Sequence, residues 1–107
     1  MKYFKFIEMI HSNKADEFSI DNFPKDCDII DNIIFTMECL DNIREQYGLP
    51  LYISSGYRCS ELNKIVDGKS NSQHKKGQAV DINLKSIEKN KAFFNWCCDN
   101  INNLPID

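Results

Sequence analysis

The sequence predicts an α+β domain of helices with two short strands, and three observations predict it. Ile30, Ile33, Ile34, Met37, Leu40, Arg44 and Tyr47 fall on one helical stripe. Leu51–Ser54 and Ala79–Leu84 are short and β-prone, and the second alternates in polarity. Turn residues separate these segments, with no internal repeat, low-complexity tract or interdomain linker, so the 107 residues read as one domain over 1–107.

Each element has a local reason. Phe4, Ile7 and Ile10 are at helical spacing and predict a short opening helix. Ser12 to Pro24 is polar and punctuated, which predicts a loop. Asp26 or Asp28 can cap the long helix at its start, and Gly48 followed by Pro50 stops it. After the first strand, Ser60 can cap a short helix carrying Leu62, Ile65 and Val66, closed by Gly68. Lys69 to Gln78 is a loop. In the second strand Val80, Ile82 and Leu84 share one face and Ala79, Asp81 and Asn83 the other. That parity buries the aliphatic side and turns Asp81 toward an open cleft. Ser86 can cap a last helix holding Phe93, Trp96 or Cys97, and Ile101.

Composition narrows the function classes. Hydrophobic residues make up 42% and charged residues 27%, enough apolar surface for a core and too much for a disordered chain. The net charge is −3 and Lys75-Lys76 is the basic cluster nearest the motif, which excludes a nucleic-acid footprint. The opening apolar stretch is broken by Lys5 and Glu8, so it does not read as a signal peptide. No segment reaches the about 18 apolar residues of a membrane span. The expectation is therefore synthesis in the cytoplasm, with no membrane partner. The five cysteines, Cys27, Cys39, Cys59, Cys97 and Cys98, are odd in number and lack CxxC spacing. Buried reduced thiols are expected rather than a disulfide framework or a thiolate zinc site.

The chemistry-bearing stretch is Ser72-x-His74-x-x-Gly77-x-Ala79-x-Asp81. A loop imidazole and a strand carboxylate are both zinc ligands, and Gly77 permits close backbone approach between them. Catalytic zinc takes three protein ligands and a water, whose pKa it lowers to about 7. Arg58 ends a tight Ser-Gly-Tyr-Arg turn after the first strand, where a guanidinium can hold a substrate carboxylate or a developing oxyanion. Each residue also has a plainer reading. His74 can be a solvated loop histidine, Asp81 a turn or cap partner, Arg58 a surface ion pair, and Ser72 a local turn hydroxyl.

From Ser54 to Ile82 the chain resembles the zinc D-Ala-D-Ala carboxypeptidase family, which includes phage cell-wall endolysins and the D,D-dipeptidases of vancomycin resistance. The residues that carry the likeness are Ser55-Gly56-Tyr57-Arg58, Leu62-Asn63, Gly68, Ser72-Gln73-His74, Gly77, Ala79 and Asp81. The N-terminal part is similar to the compact branch common in phages and prophages, through Asp21-Asn22, Pro24, the long helix and Tyr47-Gly48-Leu49-Pro50. The resemblance implies the Hedgehog/D,D-peptidase-like fold: a small antiparallel sheet with helices packed on one face and the zinc cleft on the other. It implies Zn2+ held by His74 and Asp81. It implies substrate binding and transition-state stabilisation by Arg58, and substrate contact by Ser72. The implied partner is a peptidoglycan stem peptide, cut by a metallopeptidase of carboxypeptidase or endolysin type that meets the wall once released.

The family's third ligand is a histidine in a Trp-x-His-like strand after the last helix, with the general-base acid close to it. Here Asn103-Leu104-Pro105-Ile106-Asp107 looks like the run leading into that strand. The expectation is a domain without its C-terminal strand, the third ligand and base lying outside these residues. His11 belongs to the N-terminal segment and does not align with the site. Besides the enzyme, the likeness leaves open an inactive cell-wall-binding relative and a structural relative such as a virion part.

Overall fold

A computed structural model describes residues 2–103. The chain opens with α1 (Phe6–Ile10) and α2 (Asn13–Glu17), then the long α3 (Cys27–Tyr47). Strand β1 (Ile53–Ser55) leads to α4 (Ser60–Ile65) and a 3-10 turn at Gln73–Lys76. Strand β2 (Asp81–Ile82) precedes α5 (Ile87–Asn100) and a closing 3-10 turn, Ile101–Asn103. The two strands pair antiparallel, Ile53 opposite Ile82 and Ser55 opposite Asp81, with an irregularity between those pairs. The architecture is α+β: helices with one small antiparallel sheet. The run Leu104–Asp107, expected to lead into a further strand, lies outside the described residues.

Helix α3 organises the interior. The Asp26 side chain accepts from the Asp28 amide and caps its start, and Gly48, at φ 81°, ends it. Ile33, Met37, Leu40 and Ile43 are buried on one stripe and cluster with Phe4, Met9, Leu51, Tyr57 and Leu84. The aliphatic side of the sheet, Ile53, Val80 and Ile82, packs against the same cluster, while Asp81 and Asn83 are exposed. The alternation read from the sequence is thus the alternation observed. A smaller cluster of Ala15, Ile20 and Leu62 joins α2 to α4.

Several elements differ from their sequence reading. Met9 and Phe4 are the buried residues of the opening segment, and Ile7 is exposed. A helix of five residues is under two turns long, too short for spacing to fix which side faces inward. Ser12 to Pro24 is not all loop: it contains α2, capped by Ser12 Oγ accepting from the Ala15 amide at 3.1 Å. Cys59 rather than Ser60 occupies the cap of α4, its Sγ accepting from Leu62 N at 3.5 Å. The ladder of the second strand covers two residues instead of six, because β1 is three residues long and limits the pairing. On the long helix Ile34 faces outward and Ile43 inward. Ile101, expected on the packed side of the last helix, is exposed just past its end. Cys27 and Cys98 are exposed thiols, which corrects the expectation of uniformly buried ones. Burial pushes the Cys97 thiol above its ordinary range, with Cys98 adding to the rise. Among the described residues, no helix is long and apolar enough to cross a membrane.

Candidate metal centre and peptide cleft

Four segments meet at the site: the turn after β1, the 3-10 turn Gln73–Lys76, the start of β2, and the chain leading into α2. Ser72 sets the geometry of the second segment. Its Oγ accepts from the His74 amide at 3.2 Å, and from Arg58 Nη2 at 3.3 Å. Arg58 N in turn donates to the His74 carbonyl at 3.1 Å. Ser72, Arg58 and His74 are therefore one hydrogen-bonded unit.

The far end of that turn is fastened to α3. Thr36 Oγ1 donates to the Gly77 carbonyl at 2.8 Å, and Asn32 Nδ2 to the Lys76 carbonyl at 3.0 Å. Gly77 sits at φ 74°, and a Cβ there would lie 2.6 Å from Ile33 Cγ1. Only glycine satisfies both the left-handed backbone and the close approach to α3.

The ring of His74 is nearly enclosed, with 12% of its side chain exposed against 59% for Asp81. Its Nδ1 lies 2.7 Å from the Gly56 carbonyl oxygen, which can only accept. Nδ1 therefore carries the proton, and in the neutral ring Nε2 presents a lone pair. That lone pair faces Asp81 Oδ1 at 3.5 Å. Two acceptors at that separation can share a cation, a proton or a metal ion. The distance is long for an ordinary hydrogen bond. It does suit a shared zinc: two bonds of about 2.0–2.1 Å at a tetrahedral angle span about 3.4 Å. The backbone acceptor on Nδ1 is also the usual outer support of a metal-binding histidine. The residues fit two positions of a zinc sphere. Among the described residues no cluster of three His, Cys, Asp or Glu side chains completes it.

Asp81 is placed by the sheet. It pairs with Ser55, and Ser54 Oγ donates to its carbonyl at 3.1 Å. Arg58 is only partly exposed, and its Nε is buried without a hydrogen-bond partner. Among the described residues it has no carboxylate in ion-pair range. The plain surface ion-pair reading of Arg58 therefore does not describe it.

A pocket of about 290 Å³ opens beside Arg58 rather than over the His74–Asp81 pair. Its walls include Ser54, Ser55, His11 and Lys14. His11 thus stands next to the Arg58 side of the site, although its position in the chain gave no sign of it. The connection is Asn22, a buried side chain that donates to the Ile10 and Tyr57 carbonyls and accepts from Cys59 N. Tyr57 N also donates to the Met9 carbonyl at 2.7 Å. Burial raises the Tyr57 phenol above its ordinary pKa, and the nearby Cys59 and Asp26 reinforce that shift. Spacing could not have revealed this junction, because its partners are 12 to 48 residues apart in the chain (Asn22 to Ile10 and Met9 to Tyr57).

Fold and site together define an α+β protein with a two-donor metal-type pair beside an arginine-lined cleft. The family described as Peptidase M15 matches residues 2–101, and the chain belongs to that family as a zinc D-Ala-D-Ala carboxypeptidase-like member. No curated protein and no solved structure gives a significant match.

Proposed function

We propose that this chain is a zinc-dependent peptidase acting on peptidoglycan stem peptides, by D,D-carboxypeptidase or endolysin-type hydrolysis, once it reaches the cell wall. Family membership supports a peptidase. The observation that carries the metal reading is the opposed pair, His74 Nε2 and Asp81 Oδ1 at 3.5 Å, with Nδ1 already engaged by Gly56. His74 and Asp81 would hold the ion. When bound, zinc supplies a Lewis acid for the scissile carbonyl and for the attacking water. The remaining work belongs to the chain itself. Ser72 fixes the Arg58 guanidinium from one side, leaving other N–H groups to hold a peptide carboxylate or a developing oxyanion.

Calorimetry with zinc tests the reading. Binding should be weak compared with a three-ligand site, and should vanish in His74→Ala and in Asp81→Ala. Zinc affinity indifferent to both substitutions would rule the pair out as the metal site. Mass spectrometry of a D-Ala-D-Ala-terminated stem peptide, with zinc or chelator, then reads hydrolysis.

A second reading has its own observation. Only two donors are in place among the described residues, which suits a relative that grips wall peptide without cutting it. Retention on purified peptidoglycan in the presence of chelator, lost in Arg58→Ala and without turnover, would select that reading.

A further inference from the structure

We infer that Asn22 is a positioning residue: its buried side-chain amide locks the backbone on both sides of Arg58 and so fixes where the guanidinium stands. The inference rests on the peptidase reading above for the use of Arg58, and adds to it the residue that aims Arg58.

Geometry is the first argument. Asn22 Nδ2 donates to the Tyr57 carbonyl at 2.9 Å, and Oδ1 accepts from Cys59 N at 2.8 Å. The Tyr57 carbonyl belongs to the peptide plane before Arg58, and the Cys59 amide to the plane after it. Peptide planes are rigid, so the backbone of one residue has only two soft dihedrals. A single side chain that grips both planes removes that freedom at Arg58 and sets the direction of its Cα–Cβ bond. Arg58 N, in the first of those planes, also donates to the His74 carbonyl at 3.1 Å. Ser72 Oγ accepts from Nη2 at the other end of the side chain. Arg58 is thus held at its root by Asn22 and at its tip by Ser72.

The second argument is the donor set. The partners of Asn22 are the Ile10 and Tyr57 carbonyls and the Cys59 amide. They require donation twice and acceptance once from one short side chain, which an asparagine amide supplies and an ionised aspartate of the same shape does not. Asn22 and Asn63 are the buried polar side chains among the described residues. At such a site a lost partner leaves a backbone group unsatisfied. The third argument is anchorage. Asp21 accepts from the Phe23 amide at 3.0 Å and from Lys25 Nζ at 2.7 Å, and the Pro24 side chain is fully buried. The bond to the Ile10 carbonyl ties the same amide to the end of α1. The run Asp21-Asn22-Phe23-Pro24, which the metal pair does not use, becomes the arm that holds Arg58.

The test is NMR of the full chain, reading the Arg58 Nε–H signal, with Asn22→Asp as the probe and Trp96→Ala as the control for lost stability. That nitrogen is buried in the wild type, so its hydrogen should be protected from exchange with water. In Asn22→Asp it should exchange about tenfold faster, the scale of one lost hydrogen bond beside a charged group. In Trp96→Ala it should stay protected. A protected Arg58 in folded Asn22→Asp overturns the inference, and so does equal loosening in Trp96→Ala. Should Asn22→Asp fail to fold, the wild type decides. Joint protection of the Cys59 amide and Arg58 Nε–H supports the lock, and free exchange at Arg58 beside a protected Cys59 amide overturns it. Retention on purified peptidoglycan reads the functional consequence. Asn22→Asp should weaken it about tenfold and keep the zinc affinity given by His74 and Asp81. Retention by Asn22→Asp equal to that of a retained wild type overturns the positioning role. A wild type that is not retained and binds no zinc through His74 removes the peptidase reading, and the Arg58 signal still decides whether Asn22 aims that side chain.

Discussion

The segment from Gly56 to Gly77 and the last helix α5 are built on opposite plans. The first is bound through its backbone. Tyr57 N, Cys59 N and Arg58 N each have a fixed acceptor; the carbonyls of Gly56 and His74 receive donors from within the segment, and those of Tyr57, Lys76 and Gly77 from Asn22, Asn32 and Thr36. Helix α5 has no fully buried residue. It is held by the rings of Phe93 and Trp96 against Tyr47, each 5.0 Å from it between centroids, and by Asn90 accepting from Leu84 N. Ile87 and Phe94 on its outer side, and Ile101 just past its end, are exposed. The site is therefore held by directional bonds that tolerate little displacement, and the helix by side-chain packing that tolerates more. Precision has been placed where donors must converge.

The largest expected effect strikes the bonded region. A Cβ on Gly56 would lie 2.3 Å from the Met9 carbonyl oxygen, which is backbone and cannot swing aside. Gly56→Ala should cost about 3 kcal/mol in urea denaturation. A loss near zero would mean that the Met9–Tyr57 junction is looser than its 2.7 Å bond implies. Next comes Asn22→Ala, which strips partners from two carbonyls and one amide in a buried setting. The expected cost is about 2–3 kcal/mol. It should also displace the amide signals of Tyr57 to Cys59; a stable variant with an unmoved spectrum would break the contrast.

Trp96→Ala tests the other plan. Half-buried, it should cost about 2 kcal/mol, below the value for a fully buried aromatic. His74 and Arg58 signals should stay in place, and a shift at His74 would show that α5 supports the site after all. The smallest effect is electrostatic and exposed. The Glu45 carboxyl is held below its ordinary pKa, first by the Tyr3 hydroxyl that donates to it and then by Lys2. A depressed carboxylate adds stability above its unfolded pKa and loses it as pH falls through the folded value. The urea midpoint of the wild type should therefore fall slightly more than that of Glu45→Gln between neutral pH and pH 3. Parallel pH profiles would remove this contribution.

Periodicity made the existence of α3 and the inward side of β2 readable, because an apolar stripe over 21 residues and a strict alternation are strong signals, although the stripe's edge was misplaced at Ile34 and Ile43. Helix α2 was not readable: it is five residues long and buries only Ala15. The types of the site residues were visible in the motif, and so was the outward direction of Asp81. Two features were not. The Gly56 carbonyl on His74 Nδ1, which fixes the tautomer, acts across 18 residues of loop and strand. The arrival of His11 beside Arg58 depends on Asn22, whose side chain looks from the sequence like any loop amide. Both are tertiary hydrogen bonds, and no local pattern encodes their partners.

Thr36 and Asn32 carry a consequence for heat. Because they fasten Lys76 and Gly77 to the middle of the longest helix, the imidazole is suspended from α3 rather than from a free-swinging loop. Warming should not soften the His74–Asp81 pair gradually ahead of the rest. Its geometry should persist until α3 unravels and then disappear in the same step, so that the ability to capture an ion and the helical circular dichroism are lost along one melting curve.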